Sequence, residues 1–452
     1  MHDFTRGSIA KQLILFSLPM LIGNVFQQVY SMADAVIVGN FVSGNALAAV
    51  GVAMSVLNFL LGALVGLTTG ASVVISQLFG AKQEGELRRA VSTSIVFLAE
   101  LSLGISVIGF IFTPTILRLV GTPADIFNEA VIYQRILLAC MVFPIFFNMY
   151  MSYLRALGDS RGPLFILICA TLFNVVLDLW FVVGFEMGIA GAAWATVIAQ
   201  ALAAVLCWVY AKRRAPLLRV KKLLFDRPLF RSILRYSIPA AIQMSLVSLA
   251  SLTIMRLVNS FGYISTAGYT AAQKIDSIAT MPLSNISMAT STFVAQNMGA
   301  GLEERAKKGF RTTMVLMVGL SLFISALAML FGKPLITLFL DAAATDSTAI
   351  LAVGTEYLSI IVSFYGLFAI FFAFNGFFRG VGDAVIVMAL TITSLSIRAL
   401  AAYFLTWQFD MGAEAVAWSI PIGWGLCSFV CFWYYRKCKW AGKALSTRRL
   451  EQ

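Results

Sequence analysis

The chain has 452 residues, of which 60% are hydrophobic and only 12% charged, and its formal net charge is +12. Soluble domains contain about half apolar and a quarter charged residues, so this composition excludes an ordinary soluble multidomain protein. Apolar runs of membrane-spanning length recur along the whole chain, which predicts an all-α polytopic membrane protein.

Twelve apolar segments are predicted to be transmembrane helices. In chain order they cover 12–39, 47–79, 90–113, 130–154, 164–184, 190–211, 232–259, 266–298, 310–331, 350–378, 385–407 and 414–435. The first run is too long for a cleavable signal peptide, so it is predicted to be the first span. Prolines at 19, 144, 239, 282 and 421 fall inside these runs and predict kinks.

The loops between the segments alternate between basic loops and loops with almost no Lys or Arg. The basic set includes GAKQEGELRR, LRALGDSRGP and the linker 212–231, whereas FVSGNA, TPADIFNEA and GFEMGIA contain no Lys or Arg. By the positive-inside rule the basic loops and both termini face the cytoplasm, which predicts a multi-pass protein of the inner (plasma) membrane. Because the positive charge is divided among alternate loops, it indicates membrane topology and not a nucleic-acid partner.

The two halves of the chain share an ordered set of motifs separated by about 220 residues. RALGD (155–159) recurs as RGVGD (379–383), SQLFGA (76–81) as AQNMGA (295–300), and EMGIAGAAW (186–194) as DMGAEAVAW (410–418). This repeat predicts an N-lobe at 1–211, a basic cytoplasmic linker at 212–231, and a C-lobe with a basic cytoplasmic tail at 232–452. Each lobe contains six spans, so a pseudo-two-fold axis along the membrane normal is expected, with a substrate cavity between the lobes.

Three polar residues of the first half lie within apolar runs. Asp34 is near the end of the first run, and Asn174 and Asp178 lie four residues apart, on one helix face. Burying an ionised carboxylate at membrane depth costs about 2.5–3.5 kcal/mol, so these residues predict a proton or cation site. An interfacial Asp34 and a purely structural clamp by the other two remain alternatives. The repeat places Arg398 and Ala402 opposite Asn174 and Asp178, and this asymmetry favours a functional role.

For the other charged residues within apolar runs, a structural role and a functional role fit the sequence equally well. Arg256, Lys274, Asp276 and Arg398 are candidate charges of the central cavity, and Lys274 and Asp276 are near enough in sequence to neutralise each other. Pro19 and Gly23, upstream of Asp34, are candidates for a helix hinge, with a static kink as the alternative.

No sequence motif indicates enzymatic chemistry. The chain has no phosphate-binding loop, no nucleophile elbow and no H-E-x-x-H pair, and its only histidine is His2. The six cysteines lack the spacing of a disulfide framework or a zinc site. We therefore expect no enzyme activity, no cofactor and no metal other than a coupling ion (H⁺ or Na⁺). Small molecules and membrane lipid are the expected partners, and a monomer is expected.

Several motifs together resemble the multidrug and toxic compound extrusion (MATE) transporters, from about Gly7 to Lys437. They are ADAVIVG in the first span, ISQLFGAKQ after the second, LRALGDSRGP after the fourth and VAQNMGAG after the eighth. The resemblance implies twelve helices in two lobes, alternating access, and export of lipophilic, often cationic compounds in exchange for protons or sodium. It also implies an N-lobe cation site at Asp34, Asn174, Asp178 and Thr196, of which Thr196 rests on the resemblance alone. The bending first helix of the family would match Pro19 and Gly23.

One departure from the family pattern and two alternative functions accompany this resemblance. The stretches PAAIQMSLVSLAS and IIVSFYGLFAIFFAF lack the acids of NorM-like members, so the chain is more similar to prokaryotic members that rely on the N-lobe site. A lipid-linked oligosaccharide or lipid flippase of the same superfamily would use Arg256, Lys274 and Arg398 in a cationic cavity. A membrane-embedded transferase is the other alternative, which the single histidine disfavours.

Overall fold

The computed structural model describes residues 3–220, 222–338, 346–437, 440 and 442. Across these residues the secondary structure is helical and contains no strand. The helices are α1 (Ile9–Phe41), α2 (Gly44–Gly80), α3 (Glu84–Leu119), α4 (Ala124–Ala139), α5 (Val142–Ala156), α6 (Arg161–Asp178), α7 (Gly188–Arg214), α8 (Arg227–Ser260), α9 (Tyr263–Gly299), α10 (Glu303–Thr337), α11 (Ser347–Ser363), α12 (Tyr365–Val381), α13 (Ala384–Phe409) and α14 (Glu414–Arg436). A π-helix (Leu179–Gly184) continues α6, and a 3₁₀ turn (Pro216–Leu218) follows α7. Cys438 and most of the predicted basic tail lie outside the described residues.

Among the described residues, nine helical segments are long and apolar enough to cross a membrane, and two bent helix pairs raise the number to eleven. The bent pairs are α4–α5 and α11–α12, with angles of 52° and 54° between their members. The remaining predicted segment, 266–298, lies in α9, which is as long as the others but contains Lys274, Asp276 and many hydroxyl side chains. The predicted class, an all-α polytopic membrane protein, is confirmed.

The helices pack into two compact units whose limits fall inside helices. The first unit contains Pro19–Ala241, and the second contains Phe4–Leu18 together with the described residues from Ile242 onward. The start of α1 therefore packs with the second half of the chain, and the start of α8 packs with the first half. Both transitions lie at or near a helix proline, Pro19 or Pro239. The lobes predicted at 1–211 and 232–452 stay a prediction.

The N-terminal segment of the second unit is fixed by a buried aromatic anchor. Phe4 is fully buried and packs edge-on against Phe16 and Phe293. Its backbone N–H donates to Gln296 Oε1 (3.1 Å), and its carbonyl accepts from Arg305 Nε (3.1 Å). These contacts explain why the beginning of α1 belongs to the second unit.

The repeated RALGD and RGVGD motifs have one structural role in both units. In the first unit Tyr210 Oη donates to Asp159 Oδ2 (2.8 Å), and in the second Tyr434 Oη donates to Asp383 Oδ2 (2.5 Å). Asp159 Oδ1 also accepts from the N–H of Gly162 (3.0 Å), which satisfies a free donor at the start of α6. The aspartate of each motif therefore holds its loop against a neighbouring helix, and Asp159 in addition caps the start of α6.

Candidate cation site

Helices of the first unit bring all four predicted cation-site residues to one region. Asp34 lies on α1, Asn174 and Asp178 lie in the last turns of α6, and Thr196 lies on α7. The exposed fractions of Asp34, Asn174 and Asp178 are 5%, 2% and 0%. The Asp34 side chain is therefore enclosed by protein, while its depth in the membrane stays a prediction.

Asn174 joins α6 to α7 through its side-chain amide. In the orientation that satisfies both of its neighbours, Nδ2 donates to Asp178 Oδ2 (2.8 Å) and Oδ1 accepts from the backbone N–H of Thr196 (3.3 Å). The four-residue spacing of Asn174 and Asp178 on α6 makes this contact, as the sequence predicted. Asn174 thereby fixes the position of the Asp178 carboxylate relative to α7.

The hydrogen bonding of the two carboxylates is incomplete. Asp34 Oδ1 and Asp178 Oδ1 are buried and have no hydrogen-bond partner among the described residues. The two acids interact with each other electrostatically, and no described Lys or Arg forms an ion pair with either of them. A buried carboxylate without a counter-charge is unfavourable by several kcal/mol, so the arrangement favours binding of a proton or a cation.

A small cavity of about 40 Å³ lies beside Asn174 and Thr196, and neither Asp34 nor Asp178 is among the described residues that line it. Its polar lining comes from Asn174 and Thr196, together with Gln27, Tyr30, Thr171 and Gln200. A water molecule requires roughly 10–15 Å³ on this measure, so the cavity has room for one small cation with few waters. Carboxylate, amide and hydroxyl oxygens are the ligand types that hard cations such as Na⁺ prefer.

Further polar residues of this region carry no role predicted from the sequence; they are Tyr30, Tyr133 and Gln200, with Gln27 and Thr171 in the cavity lining. Tyr30 and Tyr133 interact electrostatically with Asp34 and Asp178. Gln200 Oε1 is buried and has no hydrogen-bond partner among the described residues. Tyr30 precedes Asp34 by four residues and Gln200 follows Thr196 by four, so helical spacing was a usable signal for these two. Tyr133 lies on α4, and only the tertiary structure brings it to the site.

Two backbone features accompany the site. The chain changes from α-helix to π-helix directly after Asp178, at Leu179, and π-turns are frequent at functional positions. On α1, a β-carbon built on Gly23 would lie 3.3 Å from Leu167 Cδ2 of α6. The candidate hinge segment of α1 therefore packs directly against the helix that carries Asn174 and Asp178.

The corresponding region of the second unit has a different charge arrangement. Arg398 occupies the position equivalent to Asn174, and it interacts electrostatically with Asp276. Tyr365 Oη donates to Asp276 Oδ1 (2.7 Å), and Ala402, equivalent to Asp178, is fully buried. The acid there has a basic partner, in contrast to Asp34 and Asp178.

The four residues predicted to supply charge to a central cavity differ in their exposure. Arg256 and Lys274 are exposed, whereas Asp276 and Arg398 are half-buried. Their assignment to a central cavity, and the neutralisation of Asp276 by Lys274, stay predictions.

The sequence and the fold are both similar to those of known transporters. The family model described as MatE matches residues 19–180 and 239–423. The probable multidrug resistance protein YpnP of Bacillus subtilis (strain 168) is 31% identical over 99% of both chains, and the probable multidrug resistance protein YoeA of the same strain is 33% identical over 74% of both chains.

Among solved structures, MATE in the bent conformation superposes with a TM-score of 0.89 at 23% identity, covering 96% of both chains. An outward-facing multidrug resistance MATE family transporter superposes with a TM-score of 0.88, also at 23% identity, covering 96% of both chains. At this identity the superposition shows the shared fold, and the family model with the 31%-identical relative shows the family. The chain belongs to the MATE family of membrane transporters.

Proposed function

We propose that the protein is a secondary-active multidrug efflux antiporter, which exports lipophilic, often cationic compounds in exchange for protons or sodium ions. The observation that carries the proposal is the pair of buried carboxylates, Asp34 and Asp178, with unpartnered oxygens and no basic partner among the described residues. The names of the relatives YpnP and YoeA, both probable multidrug resistance proteins, support the substrate class.

In the proposed cycle the coupling ion neutralises the acid pair of the first unit. Asp34 and Asp178 supply charge, while Asn174 and Thr196 supply neutral oxygen ligands. An ion can drive a conformational change only if it binds the two access states with different affinities. Asp34 lies on α1 and Asp178 on α6, so a change in the packing of α1 against α6 alters the ligand set and supplies that difference.

Pro19 and Gly23 are proposed to absorb the bend of α1. Proline removes one helical hydrogen bond, and glycine permits close contact with Leu167 of α6. When Asp34 is neutralised, bending at Pro19 and Gly23 would change the position of the start of α1, which packs with the second unit. We further propose a monomer in the plasma membrane with both termini in the cytoplasm, as the distribution of basic loops predicts.

The flippase alternative depends on cations that are free to bind a pyrophosphate group. Arg398 interacts electrostatically with Asp276, but its Nε has no hydrogen-bond partner among the described residues. Arg256 and Lys274 are exposed, so the flippase stays the alternative proposal.

The proposal is tested with purified protein in liposomes that start with the same concentration of a fluorescent lipophilic cationic dye inside and outside. Dye transport against its own gradient is expected when an opposing proton or sodium gradient is imposed, and the effective gradient identifies the coupling ion. Protein-free liposomes provide the leak control. Absence of dye transport under both gradients, in protein that remains folded, would overturn the antiporter assignment.

A further inference from the structure

A second cavity, of about 620 Å³, lies in the first unit beside the basic linker. Its walls come from α3, α5, α7 and the residues that follow α7. Most of the lining is apolar or aromatic and includes Ile95, Val142, Phe146, Trp208 and Leu223. This volume is within the range of roughly 300–1,000 Å³ that is typical of small-molecule sites.

The polarity of the lining changes along α7. Val205 and Trp208 line the cavity within the helix, and Lys212 lines it near the helix end, one turn after Trp208. Arg219, in the linker, adds a second cation, and its Nε donates to the Lys212 carbonyl. None of the described residues that line this cavity is acidic, so both cations are available for an anion.

The basic end is organised by contacts of its own. Lys212 Nζ lies 5.0 Å from the centroid of the Trp208 ring, a cation–π contact that directs the amine along the cavity wall. The linker is attached to α3, because the Leu224 N–H donates to Ser92 Oγ (2.7 Å) and Arg89 pairs with Asp226 (3.4 Å). The cavity is therefore built from fixed elements.

The side chains around the cavity are suited to the edge of a bilayer. Leu223, in the linker, is 65% exposed, and Trp208 and Val205 on α7 are about half exposed. Exposed apolar and tryptophan side chains next to lysine and arginine are typical of the membrane interface. Anionic lipids attract basic residues at that level of the cytoplasmic leaflet.

We propose that this cavity is a binding site for one anionic phospholipid. The phosphate is held by Lys212 and Arg219, and an acyl chain lies against Trp208, Phe146 and the other apolar wall residues. Charge complementarity selects the anionic headgroup, and the apolar wall selects a lipid over a free phosphate. This inference is independent of drug transport, because it rests on a different cavity of the first unit.

The test measures lipid binding to the purified full-length protein after delipidation in detergent. Native mass spectrometry would count bound phosphatidylglycerol or phosphatidylcholine as each lipid is titrated. Lys212→Gln with Arg219→Gln is expected to weaken phosphatidylglycerol binding at least about tenfold, since a direct contact between a cation and the lipid phosphate contributes about tenfold or more. The matched control, Arg213→Gln with Arg214→Gln, makes the same charge change at the same helix end outside the cavity and is expected to have an effect below about twofold.

A second variant tests the apolar wall without changing charge. Val205→Trp places a large side chain in the cavity at a half-exposed position, and it is expected to reduce phosphatidylglycerol binding while the protein keeps its melting temperature. Three results would overturn the proposal: equal weakening in the two double variants, equal binding of phosphatidylglycerol and phosphatidylcholine, or unchanged binding in Val205→Trp.

Discussion

Replacing Asn174 and Asp178, singly and together, measures the free energy by which the hydrogen bond from the amide stabilises the Asp178 carboxylate. Asn174→Leu removes the 2.8 Å hydrogen bond to Asp178 Oδ2, and Oδ1 already has no partner. The single variant therefore leaves the buried carboxylate without any described hydrogen-bond donor. Asp178→Leu leaves the buried amide unpaired instead, whereas the double variant leaves neither group behind.

The expected coupling energy between Asn174 and Asp178 follows from the charge of the acid. Hydrogen bonds to charged groups contribute about 1.5–3 kcal/mol, while side-chain hydrogen bonds between membrane helices average about 0.6 kcal/mol. The 2.8 Å contact belongs to a fully buried acid, so we expect a coupling energy of at least about 1.5 kcal/mol, with the double variant less destabilised than the sum of the single variants.

Reversible unfolding in mixed detergent micelles provides the four free energies of unfolding. Leu172→Ala combined with Asp178→Leu is the control pair, because Leu172 lies on the same helix but is 60% exposed. The changes in free energy of unfolding caused by Leu172→Ala and Asp178→Leu should add within about 0.5 kcal/mol. If the free energies lost in Asn174→Leu and Asp178→Leu also add within that limit in the double variant, the amide does not stabilise the carboxylate. The reasoning that makes Asn174 part of the site would then be wrong.

Three further predictions concern packing and motion. Gly70→Ala should strongly lower thermal stability, because its β-carbon would lie 2.3 Å from Ser237 Cα, whereas Gly104→Ala, with no atom within 4 Å, should leave the melting temperature unchanged or higher. Pro19→Ala should raise the melting temperature, since an interior proline costs about 3 kcal/mol, but slow dye efflux in vesicles; unchanged efflux would contradict the hinge. Arg305→Gln removes bonds to two carbonyls of the N-terminal segment (3.1 and 2.8 Å) and should cost about 1.5–3 kcal/mol; limited proteolysis would reveal whether that segment is released.

The helices were predictable because composition determines them in this chain. Apolar runs of more than 20 residues have few alternatives to helix in a membrane, and each of the twelve segments lies in a helix or a bent pair. The breaks inside the segments 130–154 and 350–378 were less predictable. Pro144 lies in the first turn of α5, just after one break, but the break at Phe364 has no neighbouring proline. Only its equivalence to the first break in the repeat would have indicated it.

The arrangement of the candidate cation site was predictable where one helix supplies neighbouring residues. Asn174 and Asp178 contact each other because residues four apart share a helix face. Contacts between helices leave no such local signal, so Tyr133 of α4 was missed and Thr196 was found only through the family resemblance. The packing of the start of α1 with the second unit was likewise not predictable, since it depends on the buried anchor at Phe4.

The most direct test of the proposed antiport is gradient-driven dye efflux, measured as dye uptake into everted vesicles, for the wild type, Asp178→Asn and Glu100→Gln, at matched expression. Glu100 is an exposed acid on α3, so it controls for loss of an intramembrane carboxyl group as such. Efflux driven by a proton or sodium gradient is expected in the wild type and in Glu100→Gln and is expected to be lost in Asp178→Asn. Normal gradient-driven efflux in Asp178→Asn would contradict the claim that this buried carboxylate binds the coupling ion.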